Sequence, residues 1–157
     1  MEFETISVVG LGYIGLPTAA AFAVRRKRVI GVDVNQHAVD TINKGAIHIV
    51  EPELDMLVHA AVTQGYLRAT TVPEPADAFL IAVPTPFADG FRPDLSYIEA
   101  ASRAVAPVLK KGDLVVLEST SRWSATSVDC SESPTQRLEI RHEGCRLSGT
   151  QRCRGHG

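Results

Sequence analysis

The chain has 157 residues, 45% of them hydrophobic, and a formal net charge of -2. That is enough for one ordinary domain with its own core, and the composition is globular rather than disordered. The near-neutral charge argues against a nucleic-acid binder that relies on bulk positive charge. Cys130, Cys145 and Cys153 have neither CxxC spacing nor a paired histidine at finger-like distance, so no zinc site is expected, and an odd count without a secretion signal argues against a disulfide scaffold.

Residues 6–24 carry no charged side chain and approach the length of a membrane span. Gly10, Gly12, Gly15 and Pro17 interrupt the run, and Glu2 and Glu4 precede it where a signal peptide would be basic. A strand, a glycine turn and a buried helix explain it better, and the chain is expected to be soluble and cytoplasmic. The strand is placed at 5–9 and the helix at 13–26, with Ala19, Ala20, Ala21 and Ala23 forming a small-residue face for close packing on a sheet.

A second apolar run, 28–32, closes at Asp33; a helix is expected over 36–43, with Gly45 as its cap. Residues 53–64 have helical spacing, with Glu53 in the first turn where an acidic group suits the dipole, and 67–72 resemble a strand. The continuous apolar run 78–83 is that of a strand buried on both faces. Pro84 and Pro86 punctuate its end, 95–109 have helical spacing, and 114–117 form another buried strand before Glu118, Ser119 and Thr120. Strands alternating with helices predict an α/β fold: a Rossmann-type, doubly wound parallel sheet. His37, His48 and His59 fall on separate elements, and Arg25, Arg26, Lys27 and Arg28 are a basic run at a helix end.

From about Arg122 no period persists. The basic residues are arginine alone, and all three cysteines fall here. The expected division is therefore a Rossmann-type domain over 1–121 and an irregular tail over 122–157. A disordered arm, an RNA-binding tail and a shifted reading frame all fit the tail; the abrupt change in composition favours the last, and the lack of aromatic stacking platforms disfavours RNA.

The chemistry-bearing residues cluster at strand ends. Gly10, Gly12 and Gly15 form a G-x-G-x-x-G turn between strand and helix, the setting in which it binds a dinucleotide. Gly10 allows the tight turn, Gly12 lets a pyrophosphate approach the backbone, and Gly15 lets the helix pack on the strand; the helix N-terminus offers amides and partial positive charge. Asp33, roughly 20 residues further on, suits adenosine ribose hydroxyls and repels a 2′-phosphate. No cation follows it in Val34, Asn35 or Gln36, so NAD is expected rather than NADP. The bland alternative for Asp33 is a cap for the next helix. In Val83-Pro84-Thr85-Pro86 the prolines stiffen a loop that would present the Thr85 hydroxyl toward a cofactor; a rigid strand-terminating loop is the alternative. Glu118, Ser119 and Thr120 occupy the same edge and are equally suited to capping a strand.

The opening from Ile6 to Pro17 resembles the UDP-glucose/GDP-mannose dehydrogenase family, and the resemblance continues through Val29–Asp33, Gln36–Asn43, Ile47–Pro52, Leu80–Phe87 and Ala106–Lys111, to about Ser121. It implies NAD-dependent oxidation of a UDP-sugar C6 alcohol to a carboxylate. The expected substrate is UDP-N-acetyl-D-mannosamine, with a product destined for enterobacterial common antigen. It also implies that Tyr13, Ile14, Asp33 and Thr85 contact NAD, that Thr126 supplies a further NAD contact, and that Thr120 helps order the active-site water. A sister enzyme acting on UDP-glucose or UDP-N-acetylglucosamine, and a catalytically inactive NAD-binding fragment, are the alternatives. The family's nucleophilic cysteine, in a glycine-rich motif, and its catalytic lysine have no counterpart here. The expected partners are a UDP-sugar and, for the full-length form, a second copy; no nucleic acid, membrane or metal is expected.

Overall fold

Strands whose apolar residues run without alternation need cover on both faces, and the fold in the computed structural model provides it. The structure describes residues 3–51, 53–88 and 92–118, with side chains of 87, 88, 92 and 93 outside the description, and beyond 118 only the backbone of three short strands. In chain order the elements are β1 (Thr5–Val9), α1 (Gly15–Val24), β2 (Arg28–Val32), α2 (Gln36–Asn43), α3 (Leu54–Thr63), β3 (Leu67–Thr70), β4 (Ala78–Ile81), β5 (Phe87–Ala88), β6 (Arg92–Pro93), α4 (Ser96–Val105), a 3₁₀ turn (Ala106–Val108) and β7 (Leu114–Leu117). The strands β8 (Thr126–Cys130), β9 (Leu138–His142) and β10 (Gln151–Arg152) follow.

One sheet runs β10-β7-β4-β1-β2-β3. The five strands from β7 to β3 are parallel, and β10 pairs antiparallel with β7. The pairs β5–β6 and β8–β9 are separate antiparallel ribbons. Starting at β1, the chain builds outward through β2 and β3, then returns to the other side of β1 for β4 and β7. The order therefore reverses between β1 and β4, and at such a reversal the carboxyl ends of the strands leave a crevice for a ligand.

Alternate residues of each strand feed two cores. Ile6, Val8, Val29, Leu67 and Ala69 pack with Leu16, Ala19, Ala20 and Ala23 of α1, Val39 and Ile42 of α2, and Leu54, Val58 and Ala61 of α3. Val9, Ile30, Val32, Phe79, Ile81 and Val115 pack on the opposite face with Ala101 and Val105 of α4. Of the small-residue face expected for α1, Ala19, Ala20 and Ala23 pack on the sheet, whereas Ala21 is turned to solvent.

Two polar devices tie distant segments to this frame. At the amino edge the Asp77 carboxylate accepts the Glu4 and Thr5 amides at 3.1 and 3.0 Å. Lys110 Nζ reaches the Ala76 carbonyl at 2.9 Å, Asp113 Oδ1 at 2.9 Å and Asp77 Oδ1 at 3.5 Å. The Thr5 amide, first, holds the Asp77 carboxyl below its ordinary range, opposed by partial burial and aided by the Glu4 amide and Lys110. On the far side, Asn43 of α2 donates to the Ala69 carbonyl at 2.9 Å and accepts the Ala69 amide at 2.8 Å, occupying both backbone groups of edge strand β3 as a neighbouring strand would.

Several boundaries differ from the sequence expectation. The first helix begins at Gly15, not 13, because residues 10–14 form the turn that leads into it. It ends at Val24 in a Schellman cap: Lys27 N bonds Phe22 O and Arg26 N bonds Ala23 O. The helices α2 and α3 end the same way, with Gly45 and Gly65 at the left-handed position; in α1 that position is Arg26, at φ 61°. Glu53 is not in a first helical turn: it precedes α3 with φ 67°, and Asp55 is the acidic residue of that turn. The helix expected over 95–109 narrows to α4 and the 3₁₀ turn, Pro107 lacking the amide a continued α-helix would need. In the segment expected to be irregular, the described residues are only the short strands β8, β9 and β10.

Candidate functional site

The turn between β1 and α1 is built by steric necessity. Gly10 sits at φ 92°, and a Cβ there would lie 2.7 Å from the Ala82 carbonyl oxygen just beyond β4. Its amide bonds the Val32 carbonyl at 2.7 Å, so the turn is tied to β2 as well. A Cβ on Gly15 would overlap the Gly10 carbonyl outright, which lets α1 start directly against the turn. Gly12 is different: a Cβ there would meet nothing within 4 Å. Its lack of a side chain serves no contact within the described protein and leaves the backbone open to an approaching group. In the first turn of α1 Leu16 N already bonds Gly12 O at 3.1 Å, Thr18 N bonds Ile14 O at 3.2 Å and Pro17 has no amide, so the amides that suit an external anion are those of Tyr13, Ile14 and Gly15, where no side chain caps the helix. Tyr13 and Ile14 are exposed beside the open backbone.

Asp33 leaves β2 on the same edge. One carboxylate oxygen accepts the Leu11 amide at 2.9 Å and the other the Asn35 amide at 2.9 Å. The capping alternative is ruled out for its side chain: the cap of α2 is Asn35, whose Oδ1 accepts His37 N at 3.0 Å and Ala38 N at 3.4 Å. Asp33 instead binds the glycine turn and remains half-buried at the sheet edge.

The third strand end on this edge is β4. Val83 packs into the second core, Thr85 is half-buried, and Pro84 and Pro86 are exposed. The Pro86 carbonyl accepts the Asp94 amide at 2.7 Å, closing the loop that carries β5 and β6. Asp94 Oδ1 in turn accepts Ser96 N at 2.9 Å at the start of α4, which holds the Asp94 carboxyl below its ordinary range. Glu118 follows β7 with its amide on the Ile81 carbonyl at 2.9 Å. Ser119 and Thr120 lie outside the described residues, as does the side chain of Thr126.

The structure therefore brings Gly10, Gly12, Gly15, Asp33 and the Val83–Pro86 loop to one edge of the sheet, at the point where the strand order reverses. Residues 4–139 match the UDP-glucose/GDP-mannose dehydrogenase family, NAD binding domain. The chain belongs to that family. Among its curated relatives, an NDP-N-acetyl-D-galactosaminuronic acid dehydrogenase of Ralstonia nicotianae is 79% identical over 126 residues, 80% of this chain and 30% of the relative. A UDP-N-acetyl-D-mannosamine dehydrogenase of Yersinia pestis is 70% identical over the same shares. The solved UDP-N-acetyl-mannosamine dehydrogenase of Staphylococcus aureus superposes with a TM-score of 0.73 at 42% identity, covering 76% of this chain and 29% of that one. The chain thus spans about 30% of the length of the curated family members it matches.

Two contributors were missed in the sequence. Leu11 is fully buried beneath the turn, and Gly31 of β2 lies under it. A G-x-G-x-x-G pattern leaves its second position unspecified, and a glycine inside an apolar strand run carries no sign of what lies above it. Among the described residues no three His, Cys, Asp or Glu side chains are placed to hold a metal ion, and no helix is long and apolar enough to cross a membrane.

Proposed function

We propose that the chain holds NAD along the carboxyl edge of its sheet for the oxidation of a nucleotide-activated N-acetylhexosamine at C6, with UDP-N-acetyl-D-mannosamine as substrate and UDP-N-acetyl-D-mannosaminuronate as product. The observation that carries the cofactor half of this reading is the open backbone at Gly12, flanked by the α1 N-terminus and Asp33. Gly10 and Gly15 shape the turn, the Gly12 backbone and the amides of Tyr13, Ile14 and Gly15 receive the pyrophosphate, and the Tyr13 and Ile14 side chains cover it. Asp33 accepts the ribose hydroxyls and disfavours a 2′-phosphate, and the Thr85 and Thr126 hydroxyls complete the contacts. Thr120 orders the water that the second oxidation consumes. Bound NAD supplies the hydride acceptor; the chain's own residues bind it, orient it and fix which dinucleotide is accepted.

The substrate half rests on the named relatives. The 79% identity to the galactosaminuronic acid enzyme supports a second reading, in which the sugar is an N-acetylgalactosamine nucleotide. Both sugars are nucleotide-activated N-acetylhexosamines and differ in ring stereochemistry.

Gly12→Ala tests the cofactor site cleanly. The added methyl meets nothing in the described protein, so stability should change by no more than about 0.5 kcal/mol. NADH affinity should fall at least tenfold. Undiminished NADH binding by the variant would remove the pyrophosphate from this turn.

A further inference from the structure

Leu11 is the residue of the glycine turn that points inward. It is fully buried in the core between the sheet and α1. Its backbone lies between the two glycines whose positions set the turn, and its amide is held by Asp33 at 2.9 Å. Directly beneath it is Gly31, the penultimate residue of β2, paired on either side with Val8 and Ala69. A Cβ on Gly31 would stand 2.8 Å from Leu11 Cδ1, 2.9 Å from Cδ2 and 3.4 Å from Cγ. Ordinary carbon–carbon contact begins at about 3.5 Å. Any side chain at position 31 must therefore lift the Leu11 tip by roughly 0.7 Å.

An exposed leucine would answer by rotating. Leu11 is enclosed, in a core that also holds Leu16, Val8 and Val29, and close-packed interiors transmit such a displacement to the backbone. The backbone that would move is the segment between Gly10 and Gly12.

We propose that Gly31 and Leu11 are positioning residues for the cofactor: Gly31 is a socket, Leu11 the peg seated in it, and their fit sets the height of the Gly12 backbone at which the NAD pyrophosphate binds. The inference rests on the NAD reading above and extends it to a strand residue that never touches the ligand. Three anchors then fix the turn: Gly10 N on Val32 O, Leu11 N on Asp33, and the Leu11 side chain on Gly31. All three lie on the last residues of β2 and its exit, so the strand that presents the ribose-binding carboxylate also sets the pyrophosphate-binding backbone.

The test is a size swap read by NADH affinity, with the full 157-residue chain titrated by NADH fluorescence at a temperature where circular dichroism shows each variant folded. Gly31→Ala should weaken NADH binding at least tenfold. Leu11→Ala, which introduces no overlap but unseats the turn, should weaken it about threefold or more. The double variant, in which the smaller residue at 11 makes room for the methyl at 31, should bind NADH more tightly than Gly31→Ala alone. Val58→Ala, which empties the same core from α3, should lower Tm and leave NADH affinity within twofold of wild type. A Gly31→Ala chain that binds like wild type overturns the proposal, as does a double variant no better than Gly31→Ala. If Gly31→Ala does not fold, wild-type affinity in Leu11→Ala overturns it instead. A wild-type chain that binds no NADH overturns the NAD reading and this inference with it, whereas wild-type binding with no recovery in the double variant refutes this inference alone.

Discussion

Replacing Asp33 with alanine should produce two separable losses, because its carboxylate holds two backbone amides and, in the proposed site, the ribose of the cofactor. In the protein it accepts two backbone amides, Leu11 N and Asn35 N, each at 2.9 Å. Asn35 is exposed, so its amide recovers a bond to water at little cost. Leu11 is fully buried, and its amide is left without a partner, which costs about 1–3 kcal/mol. Asp33 is itself half-buried, and relief of its desolvation returns part of that. A net loss of about 1–2 kcal/mol lowers Tm by roughly 3–8 °C in a domain of this size. Toward the ligand, the loss of hydrogen bonds between ribose hydroxyls and a charged acceptor, about 1.5–3 kcal/mol, weakens NADH binding tenfold or more. NADPH, with only its 3′-hydroxyl to offer, loses less and is freed from repulsion, so the preference for NADH should narrow by at least tenfold. Thermal melts of the cofactor-free chain and paired NADH and NADPH titrations measure the two effects independently. Unchanged melting of the cofactor-free variant would show that the Leu11 amide does not depend on Asp33. An unchanged ratio of NADH to NADPH affinity, or a wild-type preference for NADPH, would refute the ribose assignment.

Arg26→Gly should raise stability by about 0.5–1 kcal/mol, since Arg26 occupies a left-handed position at φ 61° where α2 and α3 have glycine; a lower urea midpoint would contradict this. The reciprocal Gly65→Ala should cost about 1 kcal/mol from backbone conformation alone, because its new methyl meets nothing within 4 Å. Asp77→Asn should remove an acid-sensitive part of the stability. The Asp77 carboxyl titrates below its ordinary range when folded, so the unfolded chain binds the extra proton, and stabilisation is present above about pH 4 and lost as pH falls through the folded value. With the Asp77 side chain 39% exposed, the wild-type advantage at neutral pH should be only about 1 kcal/mol, and urea melts at pH 7 and pH 3 should show it shrinking; an equal gap at both refutes the assignment. Given NAD and UDP-N-acetyl-D-mannosamine, the 157-residue polypeptide should form no NADH above a no-protein control. Cys130, Cys145 and Cys153 lack the family's nucleophile motif, and sustained NADH formation would refute this expectation.

Much of the candidate site's backbone setting was legible in the sequence because its determinants are local. A glycine turn between a β-branched run and an alanine-rich segment, and an aspartate closing the next apolar run, each report their own backbone setting. Uninterrupted apolar strands alternating with helical spacing leave a parallel sheet as the economical way to bury both faces, and the carboxyl ends of its strands then hold Gly10, Gly12, Asp33 and Thr85 together. Helix ends were read less well. Their limits depend on caps such as the Lys27–Phe22 bond, and Arg26 and Glu53 take left-handed conformations that their residue types disfavour. What only the tertiary structure decided are the contacts between positions remote in sequence: Asp77 on the amides of Glu4 and Thr5, Asn43 on the edge of β3, and Leu11 seated over Gly31. A glycine within a strand looks the same in sequence whether or not another residue needs the space above it. That need arises when the turn after β1 folds down over β2, and packing density then makes one missing methyl group a determinant of where the backbone lies.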